Sequence, residues 1–253
     1  MLPDCVGRRK ENRDMTLSTN RTVRAVFRII IAVLLGLFVL AVYSTVNVFL
    51  SGHPNPSLSD QWTVGCVSPL AGLAISILIM LALSKVELST YGFQAARGMQ
   101  FVRVMLYGFG IGAVTTLLAP LLAIEEHAAV QDFSFAQFVV IIWIGASIFE
   151  EVLTRGLVQS FLAPLMKHGF SVFGLRISLP VLVSALFFGL MHMGLLSLGM
   201  GIYSVLYIVL FAFIIGMIAG YYREKTGSLI PAIVVHMFGN VGGTCADYLI
   251  DLF

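Results

Sequence analysis

A chain of 253 residues that is 58% hydrophobic and 11% charged lies far from the mixture of a water-soluble domain. Its three cysteines, Cys5, Cys66 and Cys245, are too scattered for a disulfide framework or a zinc finger. The net charge of +2 hides an asymmetry: Arg8, Arg9, Lys10, Arg13, Arg21, Arg24 and Arg28, seven of the fifteen basic residues, precede the first apolar run. Such a head marks the cytoplasmic side of a polytopic membrane protein, with nucleic-acid binding a poor second.

Residues 1–24 are polar and aperiodic and read as a disordered cytoplasmic tail. The run Ile29 to Leu50 is too long for a signal-peptide core and is followed by Ser51-Gly52-His53, which offers no cleavage pattern, so it stays as an anchor. The sequon at Asn20 then falls on the cytoplasmic side and is void. Seven stretches are apolar enough to span a bilayer: residues 26–50, 62–84, 101–123, 136–163, 178–195, 202–222 and 229–250. The expected fold is an all-α polytopic bundle, with three spans in residues 25–134 and the chemistry-bearing helices in 135–253.

The loops alternate in charge. Lys85, Arg97 and Arg103, then Lys167 and Arg176, then Arg223 and Lys225 fall on the side of the basic head. Asp60, then Glu125, Glu126 and Asp132, then Asp247 and Asp251 fall on the other, without a lysine or arginine among them. The N-terminus is expected in the cytoplasm and the C-terminus outside. Glu125, Glu126 and His127 read as a solvated acidic loop rather than a metal site. Pro164, Pro180 and Gly227-Ser228 punctuate span ends, whereas Pro69 and Pro120 lie inside spans and should kink or end them. Three Gly-x-x-x-Gly patterns, at Gly108, Gly216 and Gly239, suit close internal helix packing.

The fourth span carries Glu150, Glu151 and Arg155 within an apolar run. Unpaired at a bilayer centre, the three would cost roughly 7–10 kcal/mol. Glu151 and Arg155 are four apart, acid first, the favourable order for an ion pair on one helical face. Glu150 is left without a local cation. A carboxylate in low dielectric beside a second carboxylate is suited to accept a proton, as a general base must.

Few other strongly polar side chains fall inside spans. His192 closes Phe188-x-x-x-His192 in the fifth; His236 and Asn240 form His236-x-x-x-Asn240 in the seventh. Counting about 1.5 Å per residue from the basic ends puts Glu150 about 20 Å deep, His192 about 18 Å, His236 about 12 Å and Asn240 about 18 Å. One polar cavity shared by spans four, five and seven is expected.

These patterns, with Arg155-Gly156 and the Gly227-Ser-Leu-Ile-Pro231 lead into His236, resemble the CAAX-processing and bacteriocin-processing (CPBP, or Abi) intramembrane glutamic proteases, which include the Ras-converting CAAX endoprotease. The resemblance covers about residues 135–250; the first three spans match no motif. Thr154 departs from the pattern, since relatives often carry an aromatic residue there, a change in packing that removes no catalytic group.

The resemblance implies an intramembrane endopeptidase cleaving a membrane-associated peptide or protein tail, in the bacterial plasma membrane and without nucleic acid as partner. Glu150 would activate a water, with His192 orienting it or sharing its proton. His236 and Asn240 would hold the oxyanion, and Glu151 with Arg155 would fix the helix. No cofactor is expected. The competing reading within the same chemistry is zinc held by Glu150, His192 and His236. Other readings are a proton-coupled transporter or a scaffold, although the polar residues cluster in the second half with no inverted repeat.

Overall fold

The computed structural model describes residues 4–124, 130, 132–172, 174–250 and 252, with side chains described from Thr22 onward. Glu125, Glu126, His127 and Asp251 lie outside the described residues. Its main helices are α1 (Asp4–Ser51), α2 (Gln61–Ser84), α3 (Phe101–Leu118), α4 (Phe135–Gln159), α5 (Leu179–Met191), α6 (Ile202–Thr226) and α7 (Ile230–Ile250), with tighter 3₁₀ turns over His192–Leu198 prolonging α5. The protein is an all-α polytopic bundle.

Among the described residues six helices, α1 to α6, are long and apolar enough to cross a membrane, against the seven stretches read from the sequence. α7 has 21 residues but dilutes its hydropathy with His236, Asn240, Asp247 and its glycines. α1 also differs from expectation, because it begins at Asp4 and runs through the head expected to be disordered. That head has no proline after Pro3 and carries five arginines from Asp4 to Arg24, which prolong a helix once the apolar span has nucleated it.

Local chemistry sets the ends. The Asp60 carboxylate accepts the N–H groups of Trp62 and Thr63 at the start of α2, and Ser134 with Gln137 forms a capping box at the start of α4. Ser178 caps α5 with Pro180 in its first turn, and Gly227, at φ +72°, ends α6. Pro120 follows the end of α3, while Pro69 sits within α2 without ending it.

One end of the bundle is tied by polar contacts. Arg28 donates to the Phe161 carbonyl, and Arg223 donates to Thr90 and Ser160. Gln94 donates to the Gly227 carbonyl while Ser228 donates to that of Gln94, and Ser178 meets Glu224. The starts of α1, α5 and α7 therefore share an end with the finishes of α2, α4 and α6, as alternating crossings require. A two-stranded antiparallel hairpin, β1 (Gly169–Val172) and β2 (Leu175–Ser178), joins α4 to α5 at this end with Phe170 opposite Ile177. Helical periodicity gave no sign of it.

Large apolar side chains point outward along the flanks, among them Phe27, Leu34 and Phe38 of α1 and Leu70 and Leu78 of α2. That distribution suits lipid as solvent. α4 and α5 are the most buried of the six spans.

The closest helix packing is α3 along α7. A Cβ at Gly108 would run into the Val235 carbonyl, one at Gly112 into that of Gly239, and one at Gly242 into that of Phe109. Two Gly-x-x-x-Gly patterns thus face each other inside one chain, as read, because only hydrogen at those positions lets the backbones approach. Gly112→Leu is expected to destabilise the bundle by about 1–3 kcal/mol through overpacking, seen as a lower unfolding temperature in detergent. Gly110→Leu, at an open position, should leave it unchanged.

Candidate active site

α4 is not a uniform α-helix. Ser147–Glu151 is α-helical between two wider π-helical stretches, Phe138–Ala146 and Val152–Gln159. Such departures are frequent at functional sites. Side chains bond to carbonyls along these turns: Asn240 donates to Ile142 O at 3.3 Å, Thr154 to Glu150 O at 2.6 Å, and Ser160 to Arg155 O at 3.0 Å.

Glu151 and Arg155 form the expected pair, with Arg155 Nη1 2.7 Å from Glu151 Oε1 and both side chains 0% exposed. Arg155 Nη1 also donates to Thr154 Oγ1 at 2.6 Å. The guanidinium lies over the Phe188 ring at 4.5 Å, and Gly216 makes room for it, since a Cβ there would stand 2.7 Å from Nη2. The cation is therefore held by a carboxylate, a hydroxyl and an aromatic face. Glu151 Oε2 and Arg155 Nε and Nη2 are buried with no hydrogen-bond partner among the described residues.

α7 joins this pair through His236. Its Nδ1 lies 3.0 Å from Glu151 Oε1, so Nδ1 carries the hydrogen, while Nε2 lies 3.9 Å from Glu150 Oε2. The latter gap is too long for a direct hydrogen bond and is of the size that one water touching both atoms would fill. The Glu150 side chain is 18% exposed against 8% for His236, so the outer carboxylate is the accessible one.

The other two expected residues stand at the margins. The amide of Asn240 donates to Ser147 Oγ at 3.2 Å as well as to Ile142 O, fastening α7 to α4 one turn beyond His236. His192 donates from Nδ1 to the Phe188 carbonyl at 2.9 Å, leaving Nε2 without a hydrogen when the ring is neutral. The Phe188 ring stands edge-on to both imidazoles, with centroids 5.2 Å apart in each case. The ring that reaches Glu150 is thus His236, and His192 joins the cluster through Phe188. Among the described residues, no three His, Cys, Asp or Glu side chains are gathered as a metal ion would require.

Sequence reasoning missed several members. Tyr43 of α1 stacks on Phe149 at 5.3 Å and 17° and interacts electrostatically with Glu150; nothing local to Tyr43 signals this. Thr154 is a link in the polar chain as well as a packing residue. Ser147 has a signal in hindsight, three residues before Glu150 on the same helical face.

Removing one member of the buried pair should cost more than removing both. Arg155→Met leaves Glu151 uncompensated and is expected to lose about 3–5 kcal/mol, whereas Arg155→Met with Glu151→Gln should recover a large part of that. Thermal unfolding of the three proteins in one detergent measures the difference; equal losses would show that the pair is not coupled.

No curated protein and no solved structure matches the chain. Residues 132–242 match the family model described as type II CAAX prenyl endopeptidase Rce1-like. The match begins just before α4 and ends within α7, so it spans each helix that brings Glu150, Glu151, Arg155, His192, His236 and Asn240 to the cluster. Over residues 132–242 this integral membrane protein is accordingly similar to the Rce1-like family of type II CAAX prenyl endopeptidases.

Proposed function

We propose that the protein is an intramembrane endopeptidase in which Glu150 activates a water against a membrane-associated peptide or protein tail. The observation that carries this reading is the partly open carboxylate of Glu150 facing His236 Nε2 across 3.9 Å, in front of a fully buried Glu151–Arg155 pair. Two glutamates and one arginine leave one negative charge. A His236 protonated on both nitrogens balances it, donating from Nδ1 to Glu151 and presenting Nε2–H to the cavity.

The roles follow from the hydrogen-bond partners. A water beside Glu150 gives its proton to the carboxylate as its oxygen attacks the scissile carbonyl. His236 Nε2–H and the Asn240 amide, released from its long bonds to Ser147 and Ile142, receive the oxyanion. His192, anchored through Nδ1, offers Nε2 to share the proton before it reaches the leaving amine. Thr154 donates to the carbonyl of Glu150 itself, which supports the turn that carries the base. Three basic loop groups share one end of the bundle, and we place that end in the cytoplasm by the same charge bias.

Purified protein in liposomes, offered prenylated Cys-a-a-X peptides and unmodified membrane peptides, tests the reading. Glu150→Gln should lower kcat by about 10²–10⁴-fold and Asn240→Ala by about 10²–10³-fold, while chelators leave the wild type active. Activity lost to chelators and restored by zinc would move the proposal to the zinc form held by Glu150, His192 and His236. A cellular role retained by Glu150→Gln/His236→Ala would favour a scaffold.

A further inference from the structure

α3 and α6 each pack on α7 but hardly touch one another. Between them lies a furrow of about 600 Å³, walled by Leu106, Gly110, Val114 and Leu118 of α3 and Leu210 and Ile214 of α6. One end is closed where Tyr207 donates to the Thr115 carbonyl at 2.6 Å. From Leu106 to Leu118 the wall rises about 18 Å, close to the roughly 15 Å of hydrocarbon in one leaflet. The furrow therefore has the length and lining of a single extended acyl chain.

Its other end is basic and aromatic. Arg103 lies one turn before Tyr107 on the same face of α3, is exposed, and makes no hydrogen bond or ion pair among the described residues. Tyr222 of α6, on the stripe that continues Ile214 by steps of four, interacts electrostatically with both Arg103 and Tyr107. Lys225 is exposed in the last turn of α6, over the ring of Tyr221 at 5.6 Å. The neighbouring carboxylate of Glu224 is occupied by Ser178. Cations and phenols at the mouth of an apolar furrow are what a phosphate headgroup above its own chain requires.

We propose that this furrow binds one anionic phospholipid, its acyl chain lying between α3 and α6 and its phosphate held by Arg103 and Lys225. No wall residue belongs to the candidate active site, so the site stands or falls independently of the peptidase. The test uses full-length protein in nanodiscs of equal parts palmitoyl-oleoyl phosphatidylglycerol and phosphatidylcholine, extracted gently and weighed by native mass spectrometry. The wild type should retain one phosphatidylglycerol in preference to phosphatidylcholine by about fivefold or more. Arg103→Gln, at an exposed position, should remove about fivefold of that preference while keeping the lipid and the unfolding temperature. Gly110→Phe, where an added Cβ meets nothing within 4 Å, should fill the furrow and lose lipid of either kind. Equal retention of the two lipids by the wild type, the mark of an ordinary boundary lipid, would overturn the proposal. So would a preference that survives both substitutions.

Discussion

The contact on which the rest depends is the ion pair of Glu151 and Arg155, closed at 2.7 Å with neither side chain exposed. Two charges taken out of water are costly, and breaking such a pair leaves one of them stranded. The surrounding residues relieve that cost. Thr154 accepts from the guanidinium, Phe188 lies beneath it, Gly216 yields the space, and His236 donates to the carboxylate. These groups come from α4, α5, α6 and α7, so one buried charge pair fixes the mutual placement of four helices. Glu150, its neighbour in sequence, is held by that frame without being consumed by it.

Close backbone packing makes the frame possible. His236 reaches Glu151 only if α7 is seated against its neighbours, and the glycines that bring α3 against α7 do the seating. Without a hydrophobic force between helices in lipid, such packing and the few interhelical hydrogen bonds set the geometry. The wide turns of α4 place Glu150 and Glu151 at the junction of two helical pitches, and the hydroxyl and amide bonds of Thr154, Ser160 and Asn240 hold carbonyls there. The same splay that lets α3 and α6 both rest on α7 leaves the furrow on the lipid side.

Much of this was legible because the bilayer makes polar residues conspicuous. Glu150, Glu151, Arg155, His236 and Asn240 stand out against apolar runs, and spacing of four predicted the pair that forms. The helix segments followed from hydropathy for α1 to α6, while α7 fell short in composition because it carries polar site residues. What spacing along one helix cannot give is rotation against another. Depth alone put His192 level with Glu150, yet His236 is the ring that comes within 3.9 Å of it, while both imidazoles stand edge-on to Phe188. Tyr43 was invisible for the same reason: its partner is more than a hundred residues away. The hairpin and the π-helical turns were missed because periodicity over a short loop, or across a small change in pitch, carries no distinct signature.

The difference between the two glutamates is therefore one of surroundings rather than of residue type. Glu151 accepts from Arg155 and His236 on a single oxygen and is fully buried, the anion of a closed pair. Among the described residues Glu150 has no hydrogen-bonded cation; it retains some exposure and faces an imidazole nitrogen at 3.9 Å, close enough for one water to bond both atoms from the side. A chain that places two identical side chains next to each other thus obtains, from consecutive residues of one helix, one carboxylate sealed in an ion pair and one left partly open.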